Sequence, residues 1–108
     1  MKRCFVENGW WKLKYDGTLI ISMKGEIIPP VFGKMWNDKY DDKVKSVIIK
    51  KGATRLGTWL FEGFVNLESV IVEDGVERID WQAFSSVWDS YKLKNLKVVK
   101  LPGSTTLI

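Results

Sequence analysis

The 108-residue chain holds 45% hydrophobic and 13% aromatic residues against 28% charged ones. That is far from the charge-rich, apolar-poor pattern of disorder, so one modest domain with a real core is expected. The 17 Lys and Arg against 13 Asp and Glu give a net charge of +4, which admits an anionic partner without requiring one. Histidine is absent, and the single cysteine, Cys4, excludes an internal disulfide. No CxxC, GxSxG, P-loop or HExxH string occurs either, so no catalytic residue, cofactor or metal site is expected, and the chain is read as a non-enzyme.

At the N-terminus, Glu7, Asn8 and Gly9 interrupt the apolar run that a secretory leader needs, so none is expected in this chain. No stretch approaches the roughly 20 apolar residues of a membrane-spanning helix. Trp11 to Ser22, WKLKYDGTLIIS, alternates around Tyr15-Asp16-Gly17-Thr18. An Asp-Gly pair between β-prone runs is a hairpin signal, and a hairpin here shields the first strand that follows it. Trp11 and Trp36 are expected in its core. Pro29-Pro30 breaks regular structure, and Val31 to Asp42 reads as a loop or short helix whose Asp38, Asp41 and Asp42 are solvated charges. Residues 1–43 are taken as this N-terminal β-cap.

The rest of the chain is self-similar. Strand-like openings begin at Val44, Leu67 and Leu96, spaced by 23 and then 29 residues. Three columns stay apolar and are expected to point inward: Val44, Leu67 and Leu96; Val47, Val70 and Val99; Ile49, Val72 and Leu101. Farther on, Gly52 matches Gly75, Ala53 matches Val76, Leu56 matches Ile79, and Phe61 matches Phe84. Each unit opens with a β-branched strand, turns at Lys51-Gly52 or Asp74-Gly75, and buries an aliphatic residue and a Phe on its return. One such unit cannot bury both faces alone, but stacked units share one interior. The reading is a single domain, β-rich α/β in class: a short leucine-rich-repeat-like solenoid with repeats at 44–66 and 67–95, the second enlarged near Val87 to Lys92. A partial third follows at 96–108. Ile108 is placed in the column of Leu56 and Ile79, and the edge strand at that end is expected to favour self-association.

The run GVERIDWQAF, Gly75 to Phe84, with the looser GATRLGTWLF, Gly52 to Phe61, resembles the BspA-like leucine-rich repeats of bacterial surface proteins. The segment WKLKYDGTLIIS resembles the β-cap that precedes such arrays. Glu62-Gly63 and Ser85-Ser86 depart from the residues often found after the Phe. The resemblance implies a surface-exposed or secreted interaction module, sometimes adhesive, and carries over no catalytic residue. The compartment of this chain stays open.

Candidate contacts lie outside the apolar columns. The outward positions are Lys45, Ser46 and Ile48; Glu68, Ser69 and Ile71; Lys97, Val98 and Lys100. Lys45, Glu68 and Lys97 are expected to form one charge ladder across the strands, and Lys50 with Glu73 another, fixing register more than adding stability. Acidic residues interrupt the basic ones, which argues against a nucleic-acid stripe. The expected binding residues are Ile48 and Ile71 with Trp59, Trp81, Trp88 and Tyr91, the last two on the insertion of the second repeat. The partner is a protein or surface ligand. Two rival readings are a carbohydrate-binding module stacking sugars on Trp59, Trp81 and Trp88, and a structural fragment that associates only with itself.

Overall fold

The computed structural model describes residues 2–6, 8–27, 41–57, 60–61, 64–80, 98–100 and 106–107. They form ten strands: β1 (Lys2–Val6), β2 (Gly9–Leu13), β3 (Thr18–Met23), β4 (Gly25–Ile27), β5 (Ser46–Ile49), β6 (Ala53–Leu56), β7 (Ser69–Val72), β8 (Arg78–Ile79), β9 (Val98–Lys100) and β10 (Thr106–Leu107). Among the described residues the helical content is one 3-10 turn, Asp41–Lys43.

The strands divide between two sheets. The first runs β1-β2-β3-β5-β7-β9, antiparallel across its first three strands and parallel from β3 onward. The second runs β10-β8-β6-β4 and is parallel throughout. Parallel pairing needs a crossover between partners, and here the crossover is the trip through the other sheet. The interior lies between them: Leu19, Ile21, Val47, Ile49, Val70 and Val72 from the first sheet join Ile27, Leu56 and Ile79 from the second in one buried cluster.

The β2–β3 hairpin turns where Asp16-Gly17 signals it. The Gly17 N–H donates to the Lys14 carbonyl at 3.0 Å, and the Thr18 N–H donates to Asp16 Oδ1 at 2.9 Å. Gly17 sits at φ +91°, a left-handed conformation that glycine adopts without steric cost. The β1–β2 hairpin closes with Val6 opposite Gly9. There a Cβ on Gly9 would overlap the Ser22 carbonyl oxygen, so the close approach of β2 to β3 admits only glycine.

From β3 to β8 successive strand pairs are held together by the same backbone bonds. Lys45 N–H donates to Gly17 O, Lys50 to Ile21 O and Gly57 to Ile27 O. One unit later Glu68 N–H donates to Lys45 O, Glu73 to Ile49 O and Asp80 to Leu56 O. The β3–β4 segment, inside the stretch read from sequence as cap, therefore supplies a strand to each sheet as β5–β6 and β7–β8 do. A register irregularity between Gly25 and Glu26 accompanies it.

The inward columns hold wherever they are described: Val44, Leu67, Val47, Val70 and Ile49 are fully buried, and Val72 nearly so. Phe61 is buried beside Phe64, with ring centroids 6.2 Å apart. Leu60 is buried with Leu56 and Phe61, as the repeat register expects, and Phe64 joins them as one apolar residue more than the sequence reading assigned. Phe84, Trp36, Leu96 and Leu101 lie outside the described residues. One register is corrected. Leu107, not Ile108, pairs with Ile79, because Val99 and Leu107 are one residue closer in sequence than Val70 and Ile79.

Candidate binding surface

Alternation along each strand of the first sheet sends one residue inward and the next outward. The outward residues line up by register into columns. One column runs Arg3, Lys12, Ile20, Ile48, Ile71 and, by register alone, Lys100. Ile20 and Ile48 are half-buried, and Ile71 is 39% exposed. The structure thus brings Ile48 and Ile71 side by side and outside the core, and it adds Ile20 to them.

The flanking columns are polar. On one side stand Thr18, Ser46 and Ser69, where Ser69 Oγ and Ser46 Oγ hydrogen-bond at 2.9 Å. On the other, Lys50 Nζ lies 3.3 Å from Glu73 Oε2, as the expected ladder requires. The Lys51 N–H also donates to Glu73 Oε1 at 3.1 Å. That backbone bond first, and Lys50 after it, hold Glu73 below the ordinary glutamate value. The pair is too exposed to stabilise the fold much. Of the other ladder, Lys97 lies outside the described residues, and the Lys45 to Glu68 step does not form as a side-chain contact. Lys45 and Glu68 stand exposed just ahead of β5 and β7, joined through the Glu68 N–H and the Lys45 carbonyl at 2.7 Å, with no ion pair between their side chains. Long side chains at strand entries keep their charges in water more cheaply than they order into a pair.

On the second sheet, Arg55 donates to Asp80 through Nε at 3.1 Å and a terminal nitrogen at 2.8 Å, and to Glu26 at 2.7 Å. These bonds, Asp80 first, hold its guanidinium even more firmly protonated than usual. The cluster clips β4, β6 and the end of β8 together, which is a structural duty. Asn66 donates to the Asp42 carbonyl at 2.7 Å and ties the return turn to the segment before β5.

Of the expected contact residues, Trp59, Trp81, Trp88 and Tyr91 lie outside the described residues. The sequence reading passed over the β1–β2 end of the sheet. There Phe5 is 74% exposed opposite half-buried Trp10, next to exposed Arg3 opposite Lys12. The signal was present: Asn8-Gly9 stands between KRCFV and WWKL, a hairpin signature of the kind used for Asp16-Gly17.

No family model matches the chain, and no curated protein does. Among solved structures it is similar to a leucine-rich repeat protein from Eubacterium ventriosum, with a TM-score of 0.65 over 98% of this chain. The fold is of the leucine-rich-repeat type. Sequence identity is 23%, and the chain spans 34% of that protein, so the likeness is one of architecture. The Ile48 and Ile71 column lies on the side of the six-stranded sheet that faces away from the core.

Proposed function

We propose that this chain is a stretch of leucine-rich-repeat solenoid, with two full repeats and a partial third behind its β-hairpin cap, of the BspA-like kind. Its work is interaction or adhesion without chemistry: it binds a protein or surface ligand through the outward face of its parallel strands. The bacterial cell surface is the setting that the BspA-like resemblance implies.

The observation that carries the reading is the outward aliphatic column. Ile20, Ile48 and Ile71 adjoin one another outside the core, rimmed by the Thr18, Ser46 and Ser69 hydroxyls on one side and by Lys50 and Glu73 on the other. An apolar centre with a polar rim is how protein interfaces are built. Trp59, Trp81, Trp88 and Tyr91 are proposed as further contacts.

A photo-crosslinking residue in place of Ile71 would identify the partner, and the purified partner is then titrated against the wild type and Ile71→Asp. The expected result is a loss of about tenfold or more in affinity with the circular dichroism spectrum unchanged. Equal affinity of Ile71→Asp would refute the reading. A carbohydrate ligand would instead show as a tryptophan fluorescence change with glycans that Ile71→Asp leaves intact.

A further inference from the structure

Arg3 and Lys12 are direct partners across the antiparallel β1–β2 pair, both on the outward face. Opposed residues in such a pair have Cβ atoms about 5 Å apart, and like charges there destabilise the sheet. Among the described residues no ion pair offsets them, and β1, β2 and β3 contain no acidic residue. Asp16, in the β2–β3 turn, has its carboxylate occupied by the Thr18 N–H. Two other outward cations do find carboxylates: Lys50 meets Glu73, and Arg55 meets Glu26 and Asp80.

Two residues farther along the same strands, Phe5 and Trp10 oppose each other on the same face, with Phe5 74% exposed. Two unpaired cations beside two accessible aromatic rings join residue types enriched at interface centres. We propose that the outward face of β1 and β2 docks an acidic polypeptide segment, whose carboxylates sit between Arg3 and Lys12 and whose apolar side chains cover Phe5 and Trp10. The proposal rests on the reading of the chain as a protein-binding module and gives the partner its chemistry.

Charge complementarity selects an acidic occupant, and the surroundings select a polypeptide. A phosphate backbone is held by a run of cations along a groove. Here the column beyond Lys12 continues as Ile20, Ile48 and Ile71, so the cations do not run on across this face. An extended segment in which acidic and aliphatic side chains alternate matches the cation pair Arg3 and Lys12 with the ring pair Phe5 and Trp10 beside it.

The test uses the isotope-labelled full chain with three probes: a short peptide alternating glutamate and leucine, the same peptide with glutamine for glutamate, and a short oligothymidylate. Amide and indole chemical shifts are followed. The glutamate peptide is expected to move the signals of Phe5, Trp10 and Lys12, with the glutamine peptide and the Lys12→Glu variant each about tenfold weaker. Lys12→Glu is also expected to raise the thermal midpoint, because it places opposite charges across β1–β2, so its weaker binding is not a failure to fold. Equal binding of the glutamine peptide, full affinity in Lys12→Glu, or no response to either peptide overturns the proposal. So does preferential response of the same signals to oligothymidylate. Shifts confined to Phe5, Trp10 and Lys12 support this patch and count against the Ile48 and Ile71 face. Shifts confined to Ile48 and Ile71 do the reverse.

Discussion

Ile49 and Ile71 are the same residue type on neighbouring strands, yet the structure gives them opposite fates, and truncating each to alanine separates the two faces of the sheet. Ile49 is fully buried and lies between Ile21 and Val72 in register. Ile49→Ala removes three carbons, about 2.4 kcal/mol at 0.8 kcal/mol per group. The cavity left among fixed neighbours brings the loss to about 3.5 kcal/mol, inside the usual range for such changes. For 108 residues, an unfolding entropy of about 2.1 cal/mol/K per residue gives roughly 0.23 kcal/mol/K, so the midpoint falls by about 15 °C. Ile71 is 39% exposed, and Ile71→Ala loses chiefly strand preference and partial cover, about 1 kcal/mol or roughly 4 °C. Thermal unfolding followed by circular dichroism reads both. A drop for Ile71→Ala as large as that for Ile49→Ala would refute the assignment of faces.

Gly9→Ala places a Cβ against the Ser22 carbonyl oxygen and is expected to cost about 3 kcal/mol, measured by urea denaturation, with loss of amide protection in β1 first. Arg55→Gln should lower the thermal midpoint more than Glu26→Gln, because Arg55 bonds both Glu26 and the less exposed Asp80, whereas Glu26 is 53% exposed. Acid weakens the fold partly through Glu73. Its folded value lies below the ordinary 4.5, so the stability it contributes is present above that value and is lost as pH falls through the lower folded one. Glu73→Gln is expected to make the stability profile shallower below about pH 4.5, as read by denaturation midpoints across an acid series.

Legibility tracked where burial and spacing act together. Val44, Val47 and Ile49 could be matched to Leu67, Val70 and Val72 because identical spacing carries identical burial into the next strand. Ile48 and Ile71 then followed as the outward alternates. The Lys50 and Glu73 pair was readable because both follow their strands directly; Lys45 and Glu68, at the strand entries, keep to solvent instead. The β3–β4 segment escaped notice because Gly25 falls opposite Ala53 and not Gly52, and the register then shifts between Gly25 and Glu26, so no single spacing carries it onto the next unit. The third unit was set one residue off because a shorter link between strands looks the same as a shorter strand until the pairing of Leu107 is seen. For the surface, the eye went to the tryptophans of the later units, while Phe5 and Trp10 depend on a pairing of β1 with β2 that no repeat predicts.

Side-by-side stacking of strands from successive segments underlies both the face and its contacts, and methyl NOE spectroscopy measures it directly. Cross-peaks joining Leu19 to Val47 and Val47 to Val70, with a separate Ile20, Ile48 and Ile71 set on the other side, are the predicted result. Cross-peaks of Val47 with Ile71 in place of Val70, or no contact between the two strands, would contradict the account.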